Sequence, residues 1–265
     1  MTCSGYGDPV RGRCVRRWVA TTSLICVGAV IAGCGGDDSV PTAAAVAPAD
    51  LLLRPAQLPD GFATTQLTVS DLVKSDRAQL AAARADDVVP QECRPSADAA
   101  FIDKVDASNS AVLAAGAADV GLVELVSTVR RDIVDDIRTR TGRCTSTRTT
   151  VAEGGLAGAS VTTESTALPD PPEVGDGPGR GLSVERAFLS RSDVSTTLSD
   201  STVRKQVGYV GYALVKRPGG AVFTVSLTVN GPASRAQNPP ADPVEPMASS
   251  AFVALFGAAL KATAR

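Results

Sequence analysis

Apolar positions recur at every second residue through the last third of the chain. In Ala221–Asn230, Phe223, Val225, Leu227 and Val229 alternate with Thr224, Ser226 and Thr228, which predicts an antiparallel strand with one wet face. Val207–Lys216 carries Val207, Tyr209, Ala213 and Val215 on one face and Val210, Tyr212 and Leu214 on the other. A strand apolar on both faces is central and covered twice. Arg217–Pro218–Gly219–Gly220 turns the chain between the two. Gly208 and Gly211 inside the strand predict a bulge or a close backbone approach. Leu182–Arg191 mixes apolar and charged residues like an exposed strand, and valine-rich Val120–Val129 also reads as a strand. Thr145–Ala152 and Leu156–Ser165 flank Glu153–Gly154–Gly155, a hairpin signal. Gln66–Ser70 is a weak strand.

Elsewhere the period is helical. Ser249–Ala264 aligns Phe252, Leu255, Phe256, Ala259 and Leu260 in one stripe, predicting a helix packed on the sheet and too short to span a membrane. In Arg130–Arg143 the stripe is Ile133, Val134 and Ile137, and Gly142 stands where a helix-ending glycine belongs. Arg131–Asp135 and Asp136–Arg140 are opposite charges four apart, read as a solvated face. Ser75 or Asp76 caps a helix running to about Ala85, with Leu80 on its buried side. Past the Pro90–Pro95 break, a second helical pattern starts at Ser96 and takes in Phe101, Ile102 and Val105. Ala111–Ala118 fits helix or loop. Leu51–Leu53 start a short helix or pack as a lid before the Leu58–Pro59–Asp60–Gly61 turn, with Phe62 in the core. Ala43–Asp50 has no period, and Pro169–Gly181 is a long loop. The expected fold is α+β: one domain over 51–265, a twisted antiparallel sheet packed by helices in two layers.

The N-terminus carries a different signal. Arg11, Arg13, Arg16 and Arg17 precede an apolar run from Trp18 to Gly33, which is signal-peptide length and ends in small residues before Cys34. Ile31–Ala32–Gly33–Cys34 resembles the bacterial lipobox. That resemblance implies cleavage after residue 33, acylation of Cys34, and a cell-membrane lipoprotein held on the extracytoplasmic face by its lipid. Residues 34–50, opening with Gly35–Gly36–Asp37–Asp38, then read as a flexible tether. An uncleaved anchor and a secreted protein are the alternatives.

Charge narrows the partners. The first 33 residues hold four arginines and one acid, so the remainder carries 22 basic and 27 acidic residues, a net of −5. An acidic domain without a basic patch argues against nucleic acid and against electrostatic docking onto anionic lipid. Of six cysteines, Cys3, Cys14 and Cys26 leave with the signal and Cys34 is the lipid site. Cys93 and Cys144 remain, an even pair in an oxidising compartment, and read as one disulfide.

The chain has no histidine, which excludes a Ser-His-Asp or Cys-His triad and histidine-ligated metals. No lysine sits in a Ser-x-x-Lys spacing, and no glycine-rich loop opens a helix after a strand. No enzyme, cofactor or metal site is expected. Tyr209, Tyr212 and Phe223 are the aromatics able to line an apolar pocket between sheet and helices, with plain core the other reading.

Leu58–Phe62, Pro90–Pro95, Arg140–Cys144 and Ala221–Val225, behind a lipobox, are similar to a group of mycobacterial and actinobacterial lipoproteins with an uncharacterised domain. More distantly they resemble the external sensor domain of mycobacterial serine/threonine kinases, over most of residues 50–264. The resemblance implies an α+β domain with disulfide support and a ligand cleft, and carries over no catalytic residue. The expected function is binding of an apolar or lipid-like ligand, or of an envelope protein partner, outside the cytoplasmic membrane. The rivals are an adaptor lipoprotein without a small-molecule site and a histidine-free envelope hydrolase.

Overall fold

A computed structural model of the chain describes residues 46–94, 96–172 and 183–264. In chain order the elements are β1 (Ala63–Thr65), α1 (Val69–Ala83), β2 (Asp87–Val89), α2 (Ala97–Ile102), β3 (Ser110–Ala117), β4 (Val120–Ser127) and α3 (Ile133–Arg140). They continue with β5 (Ser146–Thr150), β6 (Ser160–Ala167), β7 (Ser183–Thr197), β8 (Val203–Lys216), β9 (Val222–Asn230) and α4 (Ser249–Ala262). All nine strands join one sheet in the order β1-β3-β4-β9-β8-β7-β6-β5-β2. Every pairing is antiparallel.

β8 and β9 occupy the middle, as their apolar content requires. Val207, Tyr209, Ala213 and Val215 pack with Phe223, Val225, Leu227 and Val229 against α4, whose Phe252, Leu255, Phe256, Ala259 and Leu260 are all buried. Leu51 and Leu53 complete that core. On the opposite face Val210, Tyr212 and Leu214 meet Ile133 of α3, while Val69, Val73, Phe101 and Ile102 of α1 and α2 pack with Leu125. The two-face reading of β8 therefore matches its side chains one by one. Helices cover both faces, so the sheet is the middle of three layers, not one of two. Thr224, on the face expected to be wet, is buried beneath the segment leading into α3.

Several boundaries differ from the sequence expectations. Gln66–Ser70 is not a strand: the Thr68 hydroxyl accepts from Asp71 N at 3.1 Å and starts α1 there, well before Ser75. β1 lies just upstream instead. Of Ala111–Ala118, expected as helix or loop, all but Ala118 is strand, because the eight registered pairs of β3 with β4 override the helical preference of its alanines. β2 was not anticipated. The Leu182–Arg191 strand becomes β7, which starts at Ser183, reaches Thr197 and is interior between β6 and β8 along its second half. Pro48–Leu51 forms a 3-10 turn within a stretch read as aperiodic. Most of the Pro169–Gly181 loop, together with Cys34 and the rest of the lipobox, lies outside the described residues.

Gly208 and Gly211 mark close approaches, to the Asn230 side chain and the Phe256 ring. The register shift of the sheet is in β7, between Val184 and Arg186. Gly142 follows α3 with φ 58°, a conformation in which any Cβ is strained; the chain leaves the helix one residue earlier, at the extended Thr141, and Gly142 opens the turn to Cys144. Cys93 and Cys144 are joined as the sequence indicates, linking the turn before α2 to the turn after α3.

Candidate functional site

Polar chemistry concentrates on the face covered by α1, α2 and α3. Asp132 accepts from Asp135 N at 3.1 Å, so α3 begins after Arg131 and leaves that side chain free to fold back beneath the helix. Arg131 Nε and Nη2 donate to the two oxygens of Asp136 at 2.7 Å each, and Nη2 donates to Asp98 Oδ1 at 2.6 Å. The guanidinium lies 3.9 Å from the centroid of the Tyr212 ring and 5.4 Å from that of Phe101. Its backbone N donates to Thr224 Oγ1 at 3.1 Å, and that hydroxyl donates to Val129 O.

Arg131 and Asp136 are only 4% and 3% exposed, so this part of Arg130–Arg143 is not a solvated face. Arg131 precedes the helix instead of lying within it, so its partner on α3 is Asp136 and not Asp135. An N-capping Asp132 was the available signal. Burial opposes the Arg131 charge, but attraction to Tyr212, Asp136 and Asp98 outweighs it and holds the group more firmly protonated than a free arginine. Burial pushes the Asp136 carboxyl up, against the hydrogen bond from Arg131, and pushes the Tyr212 phenol up as well. With its donors turned onto two carboxylates, Arg131 fastens α2, α3 and β8 together and is not open to a ligand.

Two clefts flank this fastener. Between α1 and α2 a cleft of about 300 Å³ is lined by Asp76, Asp98, Leu80 and Ile102. Burial and then the Asp98 charge raise the Asp76 carboxyl above its ordinary value, partly offset by Arg131. On the other side, a cleft of about 210 Å³ lies beside the disulfide. Its rim comes from the end of α3 with Arg140, and its floor from Thr147 and Thr149 of β5 and Thr163 and Ser165 of β6. Thr147 and Thr163 are direct cross-strand partners, and the pleat aims all four hydroxyls at one face. Arg140 is half-buried, 5.9 Å from the Tyr212 ring, with no hydrogen bond or ion pair among the described residues.

The three aromatics proposed from sequence do not come together. Tyr209 and Phe223 belong to the core under α4, where the Tyr209 ring stacks on Phe252 at 5.2 Å. Tyr212 lies on the reverse face of the sheet under α3. The space beside Tyr209 is thus filled by protein. Among the described residues no group of three or more metal-ligating side chains occurs, and no helix is long and apolar enough to cross a membrane.

No family model and no curated protein matches this chain. Among solved structures, it is similar to an uncharacterised protein from Mycobacterium smegmatis at 11% identity and a TM-score of 0.38, covering 79% of this chain and 93% of that one.

Proposed function

We propose that the chain is a lipid-anchored protein of the cell envelope whose α+β domain binds a small polar ligand outside the cytoplasmic membrane, in the cleft beside Cys93–Cys144. The anchoring half of this reading rests on the lipobox-like Ile31–Ala32–Gly33–Cys34 and on a disulfide suited to an oxidising compartment. The binding half is carried by one observation: Arg140, half-buried and without a polar partner among the described residues, shares a cleft of about 210 Å³ with four hydroxyls that likewise have no hydrogen-bond partner among the described residues. An apolar or lipid-like ligand is disfavoured, since Tyr209, Tyr212 and Phe223 are packed into two separate cores. Native mass spectrometry of the full-length protein, extracted from its own envelope, tests the reading. A small adduct on the wild type that is missing from Thr163→Phe supports it; a bare mass for both overturns it. Cys34→Ala should leave the membrane fraction, and retention would refute the anchor.

A second reading, a histidine-free envelope hydrolase, gains support from Asp76 and Asp98 lining the α1–α2 cleft. Burial raises the Asp76 carboxyl above its ordinary value, as a general acid needs, while Asp98 is hydrogen-bonded by Arg131 at 2.6 Å, so the two carboxyls stand in different surroundings. Turnover of envelope glycan by the wild type, abolished by Asp98→Asn, would favour it over binding.

A further inference from the structure

The ligand class of the Arg140 cleft follows from what lines it. We infer that the cleft takes a phosphate or the phosphate end of a small ester, held between the Arg140 guanidinium and the hydroxyls of Thr147, Thr149, Thr163 and Ser165; this rests on the binding role proposed above for the same cleft.

Three properties select for an oxyanion. First, no carboxylate is among the side chains lining the cleft, so nothing there attracts a cation or repels an anion. Second, the lining offers donors: a guanidinium has five N–H groups and no acceptor, and a hydroxyl rotates to donate wherever an acceptor sits. None of the four hydroxyls has a hydrogen-bond partner among the described residues, whereas Thr139 nearby spends its own on the carbonyls of Asp135 and Asp136. Third, the charge of Arg140 is not already cancelled. Arg140 has no ion pair among the described residues, and Asp136, four residues earlier, which feels its charge, has both oxygens held by Arg131. Arg138 and Arg143 are committed elsewhere, to Asp135 and Glu92.

Shape points the same way. Thr147 and Thr163 face each other across β5 and β6, with Thr149 and Ser165 one pleat away on either strand, so donors rise from the floor in two rows. Arg140 closes over them from the end of α3. A tetrahedral anion can meet both sides at once, with two oxygens on the planar fork and the others on hydroxyls. At about 210 Å³ the space is below the usual range for a drug-sized ligand of about 300–1,000 Å³, and fits a headgroup better than an acyl chain. The buried disulfide forms part of the wall, so the geometry holds only while Cys93 and Cys144 stay joined.

Titration of the full-length, disulfide-bonded protein in non-ionic detergent with inorganic phosphate, followed by calorimetry and phosphorus NMR, tests this. The expected result is saturable binding of one phosphate per chain, displaced by sulfate but not by chloride at equal ionic strength. Arg140→Gln should weaken it by about tenfold or more, the usual scale for losing a charge-assisted pair. Arg140→Lys, which keeps the charge and loses the fork, should fall between. Thr163→Val keeps the shape and removes one donor, and should weaken binding several-fold with an unchanged melting temperature. Competition by glycerol 3-phosphate assigns a soluble ester; competition by dihexanoyl phosphatidic acid alone assigns a lipid headgroup. No saturable phosphate binding, or equal binding by wild type, Arg140→Gln and Thr163→Val, overturns the inference. An envelope-derived adduct lost in Thr163→Phe, with no affinity for phosphate, would keep the binding role and discard only the ligand class.

Discussion

The backbone of Gly211 lies close against the ring of Phe256: a Cβ at position 211 would fall 2.7 Å from Cδ2 and 2.8 Å from Cε2. β8 thus yields its side chain at that point so that α4 can settle on the sheet. Gly211→Ala should destabilise the protein by about 1–3 kcal/mol through overpacking, read as a lower urea midpoint at unchanged slope. Phe256→Leu in the same chain should recover part of the loss. A neutral Gly211→Ala would show that α4 does not dock this closely.

Ala118 opens the two-residue loop between β3 and β4 with φ 50°, a conformation that costs a side-chain-bearing residue about 1–2 kcal/mol. Ala118→Gly should therefore raise stability by about 1 kcal/mol, since glycine takes that conformation freely. Thermal unfolding monitored by circular dichroism decides it.

Arg131 and Asp136 are buried together, so removing one partner leaves a desolvated charge. Asp136→Ala should cost about 3–5 kcal/mol. Replacing both by apolar residues, as in the double variant Arg131→Met with Asp136→Leu, should cost far less than the single change. Chemical denaturation of wild type, Asp136→Ala and the double variant measures the two costs. A double variant as unstable as the single one would mean that Asp98 and Tyr212 also need the guanidinium.

Asp76 contributes a pH dependence of stability. Its folded carboxyl is raised above the ordinary 3.8 by burial and by Asp98, so folding favours the protonated form. The associated stability is complete below the unfolded value near 3.8 and is lost as pH rises through the folded value. Asp76→Asn should accordingly be more stable than wild type at neutral pH and no more stable at pH 3. Solvent screening of this half-buried group keeps the gain below about 1 kcal/mol. A gain that persists unchanged at pH 3 would point to helix propensity instead of charge.

The disulfide closes a sequence separation of 51 residues. Loop-closure entropy places its contribution at about 4 kcal/mol, and the paired serine variant should lose up to that amount. Alkylation of the exported protein without reductant should modify neither cysteine.

Much of the sheet was legible because period-2 patterning survives wherever a strand has two covered faces. β8 is the clearest case, with each of its apolar side chains on the face expected. The α4 stripe was legible for the same reason at a helical period. β3 was not, because alanine says little about the face it occupies until β4 is alongside. The polar side of the molecule was the least legible. Arg131 and Asp136 looked like surface charges, since burial of a charge depends on what the third dimension brings over it: here Phe101 from α2 and Tyr212 from β8. The Arg140 cleft left no local signal, because its hydroxyls sit on strands already separated from α3 by the turn around Cys144.

β1 and β2 are three residues each, yet they form the two opposite borders of a nine-stranded sheet, and α1 is the helix joining them. At about 4.8 Å between strands, the chain crosses roughly 38 Å of sheet within a single excursion. One ribbon therefore hems both margins. A protease cut in α1 would separate the two margins, leaving β1 held by its pairing with β3 and β2 held beside β5 by its pairing and by the nearby Cys93–Cys144 bridge. The integrity of both margins thus depends on a single helix.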